Sequence, residues 1–228
     1  MMFWQEETKH DQYSVPDAVV DVAFQIGCRS LPVDHAWALS QAVCAVLPWL
    51  TDEPGAGVHT IHVADSGNGW MRPEGGAELL YLSRRTRLLV RVPRHRVEDA
   101  QQLTGRTLDV AGNALTVEKA ILKPLAAITT LFSRYVVSAA GQDENAFLEA
   151  AVRELNGLGI RPKKMLCGIE RTIATPAAAV RTRSLMIAEL TLEESMQLQQ
   201  HGLGPSRHLG CGLFLPHKDI KEIRQVLE

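Results

Sequence analysis

Val20, Val22, Phe24 and Ile26 alternate with Asp21, Ala23 and Gln25, a period of two that predicts a strand with one buried face. The period then changes. Leu39, Ala42, Val43, Val46 and Leu47 recur at helical spacing, so an amphipathic helix is expected, opened by Asp34 as N-cap and closed by Pro48. Val58, Ile61 and Val63 predict a short second strand, followed by a glycine-rich loop through Gly76. From Leu80 to Val92 a third strand is expected, with Leu88, Val90 and Val92 on one face and Arg85, Arg87 and Arg91 on the other. A short helix over Arg94 to Leu103 is closed by Gly105. Leu108, Val110, Leu115 and Val117 flank the turn residues Gly112 and Asn113 and complete a hairpin-like strand region.

Beyond Pro124 the order repeats. Thr130 to Ser138 reads as a strand, and Asp143 opens a helix that presents Phe147, Ala150, Ala151, Leu155 and Leu158 on one face. Lys163 to Arg171 and Val180 to Leu190 read as strands. Thr191-Leu-Glu-Glu194 is a capping-box pattern opening a helix to about Gln200, and Leu213–Leu215 supplies a last strand. The expected fold class is α+β: two tandem ferredoxin-like (RRM-like) β-α-β-β-α-β units. The corresponding division is a polar leader over 1–17, one unit over 18–124, a second over 125–216 and a charged tail over 217–228.

Composition narrows the function classes. The chain has 228 residues and a formal charge of −2, so it is not a uniformly basic binder, and any polyanion must be held by local clusters of Arg and Lys. The four cysteines are scattered without a C-x-x-C pair, which offers neither a zinc site nor a disulfide framework. No metal or cofactor is expected. The N-terminus has no signal-peptide core and no apolar run is long enough to span a bilayer, so a cytoplasmic protein with no membrane partner is expected.

One stretch invites a ligand. Residues 201–216 carry two Gly-x-Gly pairs, Gly202/Gly204 and Gly210/Gly212, around Arg207 and His208. Bare amides and basic side chains suit a phosphate backbone. A dinucleotide loop needs the order strand, glycines, helix; here a helix precedes the glycines and an apolar run follows them, which argues against that cofactor. Further basic clusters are Arg84, Arg85, Arg87 and Arg91, then Lys163 and Lys164 with Arg171, then Arg181 and Arg183. Among the histidines, His35 falls in the first turn of the first helix, where the positive helix end favours neutral imidazole. His59 and His62 point to opposite faces of a regular strand, which argues against a shared metal.

The stretch Gly202-Leu-Gly…Gly210-Cys-Gly-Leu-Phe214 after the helix Leu192–Gln200, the lead Leu31-Pro-Val-Asp-His35, Thr107 to Asn113, Phe147 to Ile160 and Thr191 to Ser195 together resemble the CRISPR repeat-processing endoribonucleases of the RAMP superfamily, and most closely the subtype first described from myxobacterial systems. The resemblance spans about residues 18 to 216. It implies a metal-independent nuclease that activates a 2′-OH within precursor guide RNA and leaves a 2′,3′-cyclic phosphate and a 5′-OH. It also implies retention of the product and, in some members, entry into an interference complex; a non-catalytic RNA scaffold of the same superfamily is the rival reading. His35 is then the expected general base or acid, with His59 as a secondary proton donor facing the cleft. The glycine loop with Arg207 and His208 and the basic clusters become RNA contacts. No tyrosine lies near the first helix in the sequence, so the residue that assists His35 is left open.

Overall fold

The computed structural model describes residues 15–62 and 78–217. Most of the expected leader, Val63, most of the glycine-rich loop through Gly76, and the tail beyond His217 lie outside the described residues.

In the first half the chain forms β1 (Val19–Gly27), β2 (Ser30–Pro32), α1 (Ala36–Val46), β3 (Gly57–Val58), β4 (Leu79–Tyr81), β5 (Arg87–Pro93), α2 (Val97–Ala100), β6 (Thr107–Val110) and β7 (Asn113–Pro124). Five of these strands make an antiparallel sheet in the order β3-β5-β1-β7-β6. The second half forms β8 (Leu131–Val137), α3 (Glu144–Gly157), β9 (Lys164–Ile173), β10 (Val180–Ala188), α4 (Leu192–His201) and β11 (Leu215–Pro216), with the antiparallel order β11-β8-β10-β9. Each half has its own core. Val22, Phe24, Leu39, Val43, Leu88, Val90 and Leu115 build the first, and Leu131, Phe147, Leu155, Leu185, Leu198 and Phe214 the second.

Three local readings change. The run from Leu80 to Val92 is two strands, because Ser83 and Thr86 close a turn in which the Ser83 N–H donates to the Thr86 hydroxyl at 3.2 Å. β4 consequently leaves the main sheet and pairs with β2 in a two-stranded ribbon. β1 is buried on both faces, since the second half of the chain covers the side that carries Asp21. Asp34 does not cap α1. The cap position is His35, whose side chain makes no capping bond, and Asp34 Oδ2 accepts from the Ala174 N–H at 3.0 Å across the two halves. The Thr191–Glu194 capping box forms as its pattern predicts, with both reciprocal bonds in place.

Candidate active site and the glycine loop

Two structures join the halves: a buried ionic cluster beneath the glycine loop, and an open cleft at the start of α1. The cluster centres on Arg91, which is fully buried. Its Nε and Nη2 donate to the two Asp21 carboxylate oxygens at 2.8 and 3.0 Å, and Nη1 donates to the Gln199 and Phe214 carbonyls, each at 2.9 Å. Burial alone would raise the Asp21 pKa, but the Arg91 guanidinium and then His59 bring it far below the usual carboxylate range. His59 Nε2 lies 3.5 Å from Asp21 Oδ1, and burial lowers its pKa against the opposing pull of Asp21. The alternation that should have put Arg91 on a solvated face fails because the second half of the chain packs over that face. Arg91 is therefore a joint residue, not an RNA contact, and His59 turns into this cluster instead of into the cleft.

Arg207 behaves the same way. Its Nε donates to the Ala56 carbonyl at 3.0 Å, Nη2 to the Gly55 and Gln200 carbonyls at 2.8 and 3.2 Å, and Nη1 to the His201 carbonyl. Burial, with Arg91 nearby, brings its pKa down to about 10. The glycines serve the same packing. Gly212 (φ +64°) lies so close to Leu203 that a Cβ would land on the Leu203 carbonyl oxygen, and its N–H donates to the Tyr135 carbonyl at 2.6 Å. The amides of Gly202, Gly204 and Gly210 donate to Leu198 O, Glu154 Oε1 and Arg207 O respectively. The amides expected to cradle phosphate are thus all taken by protein acceptors. The loop is a clasp that seats residues 202–214 against residues 55–60. Burial raises the Cys211 thiol inside it to about 12, so it supplies no thiolate. His208 is half-buried beside a groove formed with Leu50 to Ala56, and burial lowers its pKa.

The cleft holds about 370 Å³ and is lined by Asp34, His35, Thr60, Tyr135, Arg171 and Ile173, among others. His35 contributes its wall, but is only 1 % exposed. Its Nδ1–H donates to the Pro32 carbonyl at 2.8 Å, which fixes the tautomer and leaves Nε2 to accept from the Ile61 N–H at 3.0 Å. The ring is thus held as the base form, with its lone pair occupied. Tyr135 lines the same cleft: β8 carries it to the start of α1, where it packs with Ala36. Its only signal in the chain is a place at the middle of a predicted strand. His62 sits beside it, ring centroids 6.3 Å apart, with Nε2 2.7 Å from the Thr60 hydroxyl oxygen. Among the described residues no group of histidine, cysteine and carboxylate side chains is arranged to hold a metal ion.

The other basic residues divide by environment. Arg84 and Arg85 are exposed in the β4–β5 turn, and Arg87 Nη1 braces that turn through the Arg84 and Thr86 carbonyls, each at 2.9 Å. Lys163 is exposed; Lys164 pairs with Glu189 at 2.5 Å and Arg181 with Glu170 at 2.7 Å. Arg183 donates to the Gly168 and Gln142 carbonyls at 3.3 and 3.4 Å. No described helix is long and apolar enough to cross a membrane.

Comparison with known proteins agrees with this architecture. Among solved structures, the fold is similar to a CRISPR-associated protein Cas6 (TM-score 0.60, 10% identity, 88% of this chain and 100% of the other). It is also similar to a Cas6-related gene product of Pyrococcus furiosus (TM-score 0.58, 12% identity, 88% and 99%). At the sequence level it is 33% identical over 197 residues to the CRISPR-associated endonuclease Cas6 of Myxococcus xanthus strain DK1622, covering 86% of this chain and 81% of that protein. The Cas6 CRISPR family model matches residues 20–219. The chain belongs to the Cas6 family.

Proposed function

We propose that the chain is a metal-independent endoribonuclease that cuts CRISPR repeat RNA in precursor transcripts and releases guide RNA. The observation that carries this is its similarity, over most of both chains, to a CRISPR-associated endonuclease. The two sheet orders support reading residues 18–124 and 125–216 as tandem ferredoxin-like units, with 1–17 and 217–228 outside them. The scissile phosphate binds in the cleft. There the 2′-oxygen attacks phosphorus, the P–O5′ bond breaks, and a 2′,3′-cyclic phosphate and a 5′-OH result. One proton must leave the 2′-OH and one must reach the 5′-oxygen. His35 is the proposed proton-transfer group, its Nε2 exposed when bound RNA displaces the Ile61 N–H. Tyr135 and Arg171 also line the cleft, where a phenol and a guanidinium can hydrogen-bond the phosphorane oxygens.

The occupied state of His35 favours a second reading as well, in which the chain holds repeat RNA without cutting it. One assay decides. End-labelled repeat RNA is incubated in EDTA with wild type and His35→Ala, and unfolding curves verify that both are folded. Cleavage by wild type and a loss of about 10²–10⁴-fold in the variant are expected. Binding without cleavage selects the scaffold; cleavage only with a divalent ion rejects the metal-free chemistry. A folded variant that cuts at the wild-type rate removes His35 from it.

A further inference from the structure

The ribbon of β2 and β4 has no part in either core sheet. Its register pairs Ser30 with Tyr81, Leu31 with Leu80 and Pro32 with Leu79. Leu31 and Leu80 turn inward and are buried, so alternation puts Leu79 and Tyr81 on the outer face, where they are 40% and 64% exposed. The ribbon leads directly into the cleft. The Val33 N–H donates to the Glu78 carbonyl at 2.8 Å, and Val33, Asp34 and His35 are cleft-lining residues. Tyr81 stands three residues along β4 from Glu78, about 10 Å at the rise of a strand. Next to it the chain turns basic. Arg84 and Arg85 are exposed in the β4–β5 turn and form no ion pair among the described residues. The turn is bridged by Arg87 and by the Ser83–Thr86 bonds.

We infer that the outer face of this ribbon is a stacking platform for an unpaired base of the RNA strand that passes through the cleft. Tyr81 supplies the ring, Leu79 extends the apolar floor, and Arg84 and Arg85 meet the adjoining phosphates. The inference rests on the endoribonuclease reading and deepens it: it assigns a place to single-stranded RNA next to the cleavage site. The chemistry is general. Every base has a π-face, so stacking on an aromatic side chain is tolerant of sequence, whereas unpaired arginines select for a polyanion. An apolar patch without such charge would suit a protein partner equally well; here two exposed guanidiniums follow Tyr81 within four residues, a charge complement for the phosphates on either side of a stacked base.

The test uses fluorescein-labelled 2′-O-methyl repeat RNA, which lacks the attacking hydroxyl, in three forms: the hairpin alone, the hairpin with single-stranded flanks, and the same with abasic flanks. Fluorescence anisotropy reads affinity for wild type, Tyr81→Phe and Tyr81→Ala. Tyr81→Ala should weaken binding of the flanked hairpin by roughly 5- to 100-fold. Tyr81→Phe should bind it like wild type, the bare hairpin should be indifferent, and abasic flanks should erase the difference. Equal affinity of Tyr81→Ala and wild type for the flanked hairpin overturns the platform and leaves the patch to a protein partner. Equal losses on all three forms overturn it too, as a general structural effect. Wild type that binds none of the three brings down the RNA reading itself, a failure distinct from that of Tyr81.

Discussion

At the scale of residues, charge and exposure are decoupled in this chain. Arg91 and Arg84 look alike in the sequence, yet one is sealed among Asp21 and two carbonyls and the other meets solvent. The Arg91–Asp21 pair makes a definite prediction. Removing one partner of a buried pair leaves the other uncompensated, so Asp21→Asn should cost about 3–5 kcal/mol in a denaturant titration. The pH dependence follows from the same pair. Asp21 has its carboxyl held far below the ordinary 3.8, so its contribution is whole above about pH 4. It is withdrawn as the pH falls below that value, because the unfolded chain takes up the proton first. The stability of wild type should therefore drop more steeply below pH 4 than that of Asp21→Asn, and parallel acid limbs would refute the assignment. Salt dependence reads the exposed arginines instead. Arg84→Ala/Arg85→Ala should weaken repeat binding and flatten the plot of log affinity against log salt by roughly 0.7–0.9 for each phosphate that is no longer neutralised. An unchanged slope would reduce the turn to a solvated surface.

At the scale of elements, those with strong local signals are legible in the sequence. The capping box at Thr191 and the apolar face of α3, including Phe147, Ala151 and Leu155, are where the pattern puts them. What eludes the pattern is the consequence of long-range packing. The turn at Ser83–Thr86 is hidden within an apolar run, and the glycine loop looks like a phosphate cradle until its acceptors are seen. Glycine is needed there for closeness as much as for φ. Gly204 (φ +74°) has nothing within 4 Å of a built Cβ, so Gly204→Ala should cost only the strain of a left-handed alanine, about 1–2 kcal/mol. Gly212→Ala must also move backbone away from the Leu203 carbonyl, and should lower the denaturant midpoint considerably more. Equal losses for the two would mean that close backbone approach does not hold the clasp.

At the scale of the whole molecule, the order of elements is readable because each half carries its own apolar periodicity, and the two sheets follow from it. The site is less readable, since it exists only where the halves meet. His35 stands out by its place at the head of α1, whereas Tyr135 comes 100 positions later and nothing local points to it. His59, expected to face the cleft, instead follows the end of β3 and meets Asp21 of β1 on the face that the second half covers. The spans of these bonds also bear on how the protein is made. Arg91 reaches carbonyls 108 and 123 positions later, and Arg207 reaches back 152 positions to Gly55. On the ribosome, where domains generally fold from the N-terminus onward, the first half emerges before two of the acceptors of Arg91 have been synthesised. The Arg91 Nη1 must remain hydrated until then, although Asp21 is already at hand for Nε and Nη2, and the joint closes only when α4 and the glycine loop arrive.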